Sequence, residues 1–434
     1  MKEEPPHDQE LCEMLINADR QGKLITQLCN FDRRGVSSIT EIISNLNNDG
    51  KIALLATRNL DAIKNLRHDD FWSIQNSLSE IIPTLKCETT ALLHFVRTMV
   101  EKAGNDLAAY SPVSSLTKWC SHNSAQAYEI IEGSRQSDEL CLQYCVCALE
   151  GLGNFKLIRE FASNDDTALS IIGIRAMGLL GNELPVISAK ESIKKCLETL
   201  NNLDNGEARL TSIESAFRIW NENKKIGHYL QTPFIKAVTA SNVDEERQML
   251  VYCLYRYVGG LTEKSIESIL KHATNNSENS EALLRMLDQA LGGFDERWNF
   301  EQVVDVFNSH MPHVSDNFDI RDLSYFFDMV WNAPSNTSYV FSSWLYLGDI
   351  QQCTKLAYAI DEKGGNDVTL SFLKQHVPEY ANDQIFIAKK CIGFLWKNEV
   401  TAASILLSLY KYSSKEAQTV IEELLFDPLL VSYN

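Results

Sequence analysis

Proline and glycine are scarce in this chain of 434 residues, which contains 10 and 20 of them respectively. Proline is present at about half of its ordinary frequency, and glycine is also below average. Both residues interrupt helices, so their scarcity over such a length favours helical structure. Hydrophobic residues make up 44% of the chain and aromatic residues 9%, which excludes a generally disordered protein.

Signals for export or membrane insertion are missing as well. The chain begins Met1-Lys2-Glu3-Glu4-Pro5-Pro6, which has no apolar core of the kind that a secretory signal needs. No window approaches 18 uninterrupted apolar residues, so we predict no membrane-spanning helix. We therefore expect a cytoplasmic protein that has no contact with a membrane.

None of the eleven cysteines belongs to a Cys-x-x-Cys motif. Cys141, Cys145 and Cys147 fall within one apolar helical segment, where cysteine behaves as a small hydrophobic residue. Cys141 and Cys145 share a helix face and could hold a soft metal, but two of four tetrahedral ligands are lacking. We therefore favour free cysteines in the core over a metal site.

The best cluster of hard metal ligands is His310-Met311-Pro312-His313, with Asp316 and Asp319 after it. Two imidazoles and two carboxylates have the chemistry to bind zinc or another divalent ion. The same residues also suit a polar loop between helices, and Pro312 favours a turn. We favour the loop and predict no metal site.

Motifs for phosphate binding and catalysis are absent. The sequence has no Gly-x-x-x-x-Gly-Lys-Ser/Thr loop, no Gly-x-Gly-x-x-Gly after a strand, no Gly-x-Ser-x-Gly elbow and no His-Glu-x-x-His helix. Its paired glycines follow helical segments, which is the wrong end of the helix dipole for an anion. We therefore predict a protein that is not an enzyme, with no catalytic residue and no cofactor.

Positive charge is in the minority, since 40 Lys and Arg residues face 58 Asp and Glu residues and the net charge is −18. Nucleic-acid binding depends largely on the neutralisation of phosphates by Lys and Arg. The basic pairs are scattered along the chain at Arg33-Arg34, Lys194-Lys195, Lys224-Lys225 and Lys389-Lys390. We expect no nucleic-acid partner unless a local basic face forms.

Apolar segments with helical spacing are abundant, and several of them end at glycine. These ends are Gly153, Gly181, Gly259-Gly260 and Gly292-Gly293, and a fifth segment ends at Asn221. Glycine and asparagine are the residues that tolerate the left-handed conformation after a helix. Their recurrence predicts stacked helical hairpins, the arrangement of solenoid proteins.

Start and stop signals also predict individual helices. Asp69-Asp70 suits the first turn of a helix, and another helix runs from Thr89 to Gly104. A helix from Ala125 is expected to close at Gly133. In the last third we expect helices over 350–361, 367–376, 380–397, 399–412 and 414–426. No alternation is sustained enough to predict a β-sheet.

The central segments resemble a known repeat. Ile172, Ala176, Leu180 and Gly181 match the second helix of HEAT-type or armadillo-like repeats, which often reads Val-Arg-x-x-Ala-x-x-x-Leu-Gly. A second copy matches at Ala148, Leu152 and Gly153, whereas the arginine position is occupied by Gly173 and Cys145. The resemblance covers roughly 138–300. It implies an all-α fold in which antiparallel helix pairs form a superhelical stack, and it says little about function.

On this basis we divide the chain into four regions. Residues 1–10 are expected to be a flexible tail, and 11–137 an N-terminal helical region. Residues 138–300 form the HEAT-like repeat core, and 301–434 a C-terminal helical region that continues the stack.

A candidate partner-binding site lies where acidic and aromatic residues are concentrated. Region 276–330 contains eleven acidic and three basic residues, a net charge of −8, and aromatic residues are dense over 325–346. A negative rim beside exposed aromatic side chains would suit a basic segment of a protein partner. The alternative is that the acidic residues are solvated and the aromatic residues fill the core. The candidate residues are Asp316, Asp319, Asp322, Tyr325, Phe326, Trp331, Trp344 and Tyr346.

Three functional hypotheses follow. The first is a helical-repeat scaffold or adaptor that binds a protein partner as a subunit of a larger assembly. The second is nucleic-acid binding or base excision, which the resemblance permits and which requires a basic groove. The third is a recognition domain of a longer defence or signalling protein. The first hypothesis agrees best with the acidic charge.

Overall fold

The computed structural model describes residues 8–32, 39–104, 109–202, 205–275, 279–293, 297–315, 317–319, 322–348, 353–354, 357–358, 368–395 and 397–426. Among these residues lie 23 α-helices with defined bounds, and no β-strand. The prediction of an all-α protein is therefore confirmed for the described part of the chain.

Contacts between residues divide the chain into two compact units, Met1–Ile226 and Gly227–Asn434. The boundary falls inside the region 138–300 that was assigned to the repeat core. The helices of the first unit are α1 Asp8–Arg20, α2 Leu24–Asp32, α3 Ile39–Asn48, α4 Thr57–Lys64, α5 His68–Ile81, α6 Thr89–Ala103, α7 Tyr110–His122, α8 Ser124–Arg135, α9 Glu139–Leu152, α10 Phe155–Ala162, α11 Thr167–Leu179, α12 Val186–Asn202 and α13 Gly206–Glu222.

The second unit contains ten further helices among its described residues. They are α14 Gln231–Thr239, α15 Asp244–Tyr257, α16 Glu263–Ala273, α17 Ser280–Leu291, α18 Phe300–His310, α19 Ser324–Asn332, α20 Pro334–Leu347, α21 Ala381–Phe394, α22 Glu399–Tyr412 and α23 Lys415–Phe426. The last two agree with the predicted limits of 399–412 and 414–426. Most of the predicted helix 350–361 lies outside the described residues.

Packing follows the same rule in both units. In the first unit α9 contacts α8, α7 and α11, and α11 contacts α10, α9 and α13. In the second unit α17 contacts α18, α15 and α19, and α20 contacts α19 and α18. Each of these helices therefore packs on a neighbour in sequence and on a helix two places away.

Local signals set many helix ends. Asp166 accepts hydrogen bonds from the backbone N–H groups of Ala168 and Leu169 and so caps α11, since a short polar side chain satisfies the free donors of a first turn. Asp69 and Asp70 lie in the first turn of α5, as predicted. The predicted helix from Thr89 to Gly104 is also confirmed.

The glycine ends are only partly as predicted. Gly153 ends α9 in the left-handed conformation, with φ of 57°. By contrast α13 continues past Asn221 to Glu222, and α8 continues past Gly133 to Arg135. The predicted end at Asn221 was therefore one residue early, and the predicted end at Gly133 two residues early. At Gly133 a Cβ would lie 2.5 Å from the sulfur of Cys141, so this glycine lets α9 approach α8.

The predicted helix over 367–376 was wrong as well. Residues 368–373 are extended, and only Lys374–His376 form a 3₁₀ turn. Leu370 and Phe372 are buried while Ser371 between them is exposed, which is the period-two pattern of extended chain. The N–H groups of this segment donate to serine hydroxyls of two helices instead of to a helix turn. The pairs are Leu370 to Ser404, Ser371 to Ser338, Phe372 to Ser408 and Leu373 to Ser342.

Candidate partner-binding face

Aromatic and acidic side chains meet where α18, α20 and the 3₁₀ turn Lys374–His376 lie side by side in the second unit. We call this surface the acidic–aromatic face. On α18 the residues Glu301 and Asp305 are one turn apart and therefore share a helix side, and on α20 Tyr339 and Tyr346 do so two turns apart. The face consists of Phe300, Glu301, Asp305, Tyr339, Tyr346 and His376.

Hydrogen bonds within the unit set the register between α18 and α20. Asn308 donates to the Ser343 hydroxyl at 2.7 Å and accepts from the indole N–H of Trp344 at 2.7 Å. About one turn earlier on each helix stand Asp305 and Tyr339. The carboxylate of α18 is therefore placed beside the tyrosine of α20.

Tyr339 forms the floor of the face. Its exposed fraction is 9%, and its ring makes edge contacts with His376 at 5.0 Å and with Phe300 at 6.2 Å between centroids. No hydrogen bond of its hydroxyl occurs among the described residues, and Nδ1 of His376 is buried without a partner there. The Tyr339 hydroxyl thus remains available to a ligand, whereas the unpartnered His376 Nδ1 is shielded from solvent.

Burial and carboxylates cause the pKa shifts on the face. Burial raises the pKa of Asp305, and the Glu301 carboxylate raises it further. Burial, followed by Asp305 and Glu301, raises the pKa of Tyr339 to about 12. Burial lowers the pKa of His376, and Glu301 partly offsets this effect. No basic side chain is among the causes of these shifts, and neither carboxylate forms an ion pair among the described residues. Lys374, in the same 3₁₀ turn as His376, is exposed.

The structure distributes the candidate aromatic residues between core and surface. Phe326 and Trp344 are fully buried, and Phe326 stacks on Phe307 at 3.9 Å. Neither side chain can reach a partner in this structure, because aromatic residues at helical spacing have packed between helices. Trp331 is half-buried against Phe341. Tyr325 and Tyr346 remain, with exposed fractions of 46% and 44%.

The candidate acidic residues lie in different environments. Asp322 is exposed and forms an ion pair with Arg285 at 3.2 Å. Asp319 is half-buried and engaged with other groups of the protein. Asp316 lies outside the described residues. The charge of Asp322 is therefore offset by arginine, unlike that of Asp305.

Sequence reasoning missed Glu301, Asp305, Tyr339 and His376 as parts of one site. The spacing of Glu301 and Asp305 shows that they share a helix side, but it does not reveal which helix lies opposite. His376 fell inside a segment that was wrongly predicted as helix. Only the packing of α18 against α20 brings these residues together.

Within the described residues, neither potential metal cluster brings a ligand set together. His310 is fully buried, and its ring nitrogens lie 2.6 Å from the Ala273 carbonyl oxygen and 3.0 Å from the Ser280 hydroxyl. Cys145 and Cys147 are buried, and burial raises their pKa values to about 11 and about 12. Among the described residues, no group of three or more His, Cys, Asp or Glu side chains could hold a metal ion.

Comparison with protein-family models finds no match for this chain, and comparison with curated proteins finds none either. Within the part of the chain that the structure describes, no helix combines the length and the apolarity needed to cross a membrane.

Proposed function

We propose that the chain is a non-enzymatic helical-repeat scaffold in which antiparallel helix pairs stack within each unit, as in HEAT-like repeats. The contacts of each helix with its neighbour and with the helix two places away support this arrangement. Polar contacts repeat at similar separations. Trp119 donates to the Leu85 carbonyl 34 residues away, Asn223 to Leu184 over 39 residues, and Trp344 to Asn308 over 36 residues. These separations correspond to one helix pair with its loops.

The proposed role is to bind a protein partner that carries a basic segment, as a subunit of a larger assembly. The observation that supports it is the acidic–aromatic face, where Glu301 and Asp305 form no ion pair among the described residues. Charge of one sign steers a complementary partner, and aromatic side chains such as Tyr346 then hold it. A cytoplasmic location is part of the same proposal, since all eleven cysteines are free.

Nucleic-acid binding finds less support. Arginines that could form a basic groove are paired with carboxylates, among them Arg135 with Glu160 at 2.6 Å and Arg159 with Glu191 at 2.9 Å. The region around Arg159 that also contains Lys194 and Lys195 is lined by Glu191 and Glu198. Basic side chains interleaved with acidic ones offer little attraction to a phosphate backbone.

The proposal can be tested by affinity capture from native extract. Three immobilised proteins are compared: wild type, Glu301→Gln/Asp305→Asn, and Glu10→Gln/Glu13→Gln, in which two exposed carboxylates of α1 are removed. We expect a specific set of proteins on wild type and on the α1 variant that is lost from the α18 variant. Retention of the same proteins by all three, or retention abolished by nuclease, contradicts the proposal.

A further inference from the structure

We propose that the part of the acidic–aromatic face formed by Asp305, Tyr339 and His376, here called the cation subsite, binds one cationic side chain, a lysine or arginine, from the basic segment of the partner. This inference rests on the proposed function and identifies the chemistry that its site recognises. With the neighbouring Glu301 and Phe300, the cation subsite offers two carboxylates, one tyrosine hydroxyl without a hydrogen bond among the described residues, and three aromatic rings. An ammonium or guanidinium group has the matching set of hydrogen-bond donors and no acceptor.

The acceptors of the cation subsite favour a donor-rich ligand. Asp305 and Glu301 form no ion pair among the described residues, and Tyr339 beside them is nine-tenths buried. Burying polar groups without hydrogen bonds costs free energy. A bound cation would supply the missing donors and would relieve the repulsion between the two carboxylates.

The aromatic rings of the face favour an organic cation over a metal ion. The ring centroid of Tyr339 lies 6.2 Å from that of Phe300 and 5.0 Å from that of His376. A cation is attracted to an aromatic face at distances up to about 6 Å. Burial lowers the pKa of His376, which favours the neutral ring and so reduces repulsion of a cationic ligand. A metal ion is less suitable, because no group of three ligating side chains is present among the described residues.

A second contact, at Tyr346, would orient the partner segment along α20. Tyr346 lies seven residues after Tyr339 on α20, which is about 10 Å along the helix axis. An extended peptide covers that distance in about three residues. We therefore expect the preferred partner segment to carry an apolar side chain three residues from the bound lysine or arginine.

The experiment uses the full chain and a hexalysine peptide that carries fluorescein and a benzophenone photocrosslinker. Fluorescence polarisation measures its affinity for wild type, Asp305→Asn, Tyr339→Leu and the control Glu10→Gln/Glu13→Gln. We expect wild type and control to bind the peptide with equal affinity, and Asp305→Asn and Tyr339→Leu each to bind it about 10-fold more weakly. Acetylated hexalysine, which lacks the charges, should not compete. Crosslinks should map to Phe300–His310 and Pro334–Leu347.

Equal affinity of all four proteins, or crosslinks spread over other helices, would overturn the inference. Asp305 is exposed, so Asp305→Asn keeps the test valid if Tyr339→Leu fails to fold. Since the surroundings raise the pKa of Asp305, its replacement should not lower the melting temperature. Weaker binding at an unchanged melting temperature distinguishes ligand contact from a structural role.

The two proposals fail in distinguishable ways. If Glu301→Gln/Asp305→Asn loses its captured proteins while hexalysine binds equally to Asp305→Asn and wild type, the face binds a partner without a cation subsite. If the captured proteins are the same for all variants, the proposed function itself is wrong, whatever the affinity for the peptide.

Discussion

At the residue scale, glycines allow neighbouring helices of the first unit to approach closely. A Cβ added to Gly173 would lie 2.1 Å from the backbone nitrogen of Ala162, and one added to Gly178 would lie 2.7 Å from the Ser215 hydroxyl. Gly151 is equally constrained, since its Cβ would lie 2.6 Å from the carbonyl oxygen of Thr117. These glycines serve interhelical packing more than helix termination.

Replacement of Gly173 by alanine should destabilise the protein. Alanine is the better helix former, but here the added methyl group meets backbone that cannot move aside. We expect a loss of about 1–3 kcal/mol in the free energy of unfolding, measured by urea denaturation. Gly206→Ala is the matched control, because no atom lies within 4 Å of its Cβ position. A Gly173→Ala protein as stable as this control contradicts the packing.

Buried cysteines should resist alkylation in the folded protein. Burial raises the pKa of Cys147 and of Cys196 to about 12, and only the thiolate form reacts readily. After iodoacetamide treatment at pH 8, we expect mass spectrometry to find both residues unmodified in the native protein. In guanidinium chloride both should be modified. Fast native labelling of either residue would show that its helix opens or packs differently.

At the element scale, the segment 368–373 forms no helix, because its backbone N–H groups donate to side chains of neighbouring helices. The Ser404 and Ser408 hydroxyls donate to Thr401 and Ile405 carbonyls within α22 and accept from the N–H groups of Leu370 and Phe372. Ser338 and Ser342 of α20 accept from the alternate residues. The extended chain is thus held between α20 and α22 without a β-sheet.

Removal of two of these hydroxyls should loosen the segment. In Ser404→Ala/Ser408→Ala the N–H groups of Leu370 and Phe372 lose their acceptors, at a cost of about 1–3 kcal/mol for each buried group. Hydrogen exchange of these two amides should accelerate, and the free energy of unfolding should fall. Ser268→Ala removes an exposed hydroxyl that bonds only to Lys264 of its own helix, and should have little effect. Unchanged exchange in the double variant would contradict the observed bonding.

At the scale of the whole molecule, stability depends on buried ionisable groups in the second unit. Arg247 is 4% exposed and pairs with Asp244 at 2.8 Å. Burial lowers the pKa of His272, and the Arg247 charge lowers it further despite Glu246. Burial also lowers the pKa of His310. Both imidazoles therefore favour the neutral form more strongly in the folded protein than in the unfolded chain.

These histidines predict a loss of stability in mild acid. As the pH falls below 6.5, these histidines bind protons in the unfolded chain before they do so in the folded protein. The free energy of unfolding therefore falls as pH decreases from about 7 towards the lowered pKa values. Urea denaturation at pH 7.5, 6.5 and 5.5 measures the slope. His310→Gln, which keeps a hydrogen-bonding side chain but cannot titrate, should show a smaller slope. Equal slopes for both proteins would mean that His310 does not contribute.

Helices could be predicted from the sequence because their signals are local. The limits of α22 agree with the predicted 399–412, and the acidic start of α5 at Asp69 and Asp70 was recognised, since helical spacing and capping act within a few residues. The same rules failed for 368–373. There the hydroxyls that satisfy the backbone lie 30 or more residues away.

The sequence by itself determined that this is an all-α chain rich in acidic residues, because composition and helical periodicity are properties of neighbouring residues. Tertiary packing alone decided which aromatic side chains are accessible: Trp344 became core and Tyr346, two residues later, stayed exposed. It also decided that Asp305, Tyr339 and His376 lie near one another. Such a grouping depends on which helices lie side by side, and that arrangement follows from the burial of apolar surface over the whole unit.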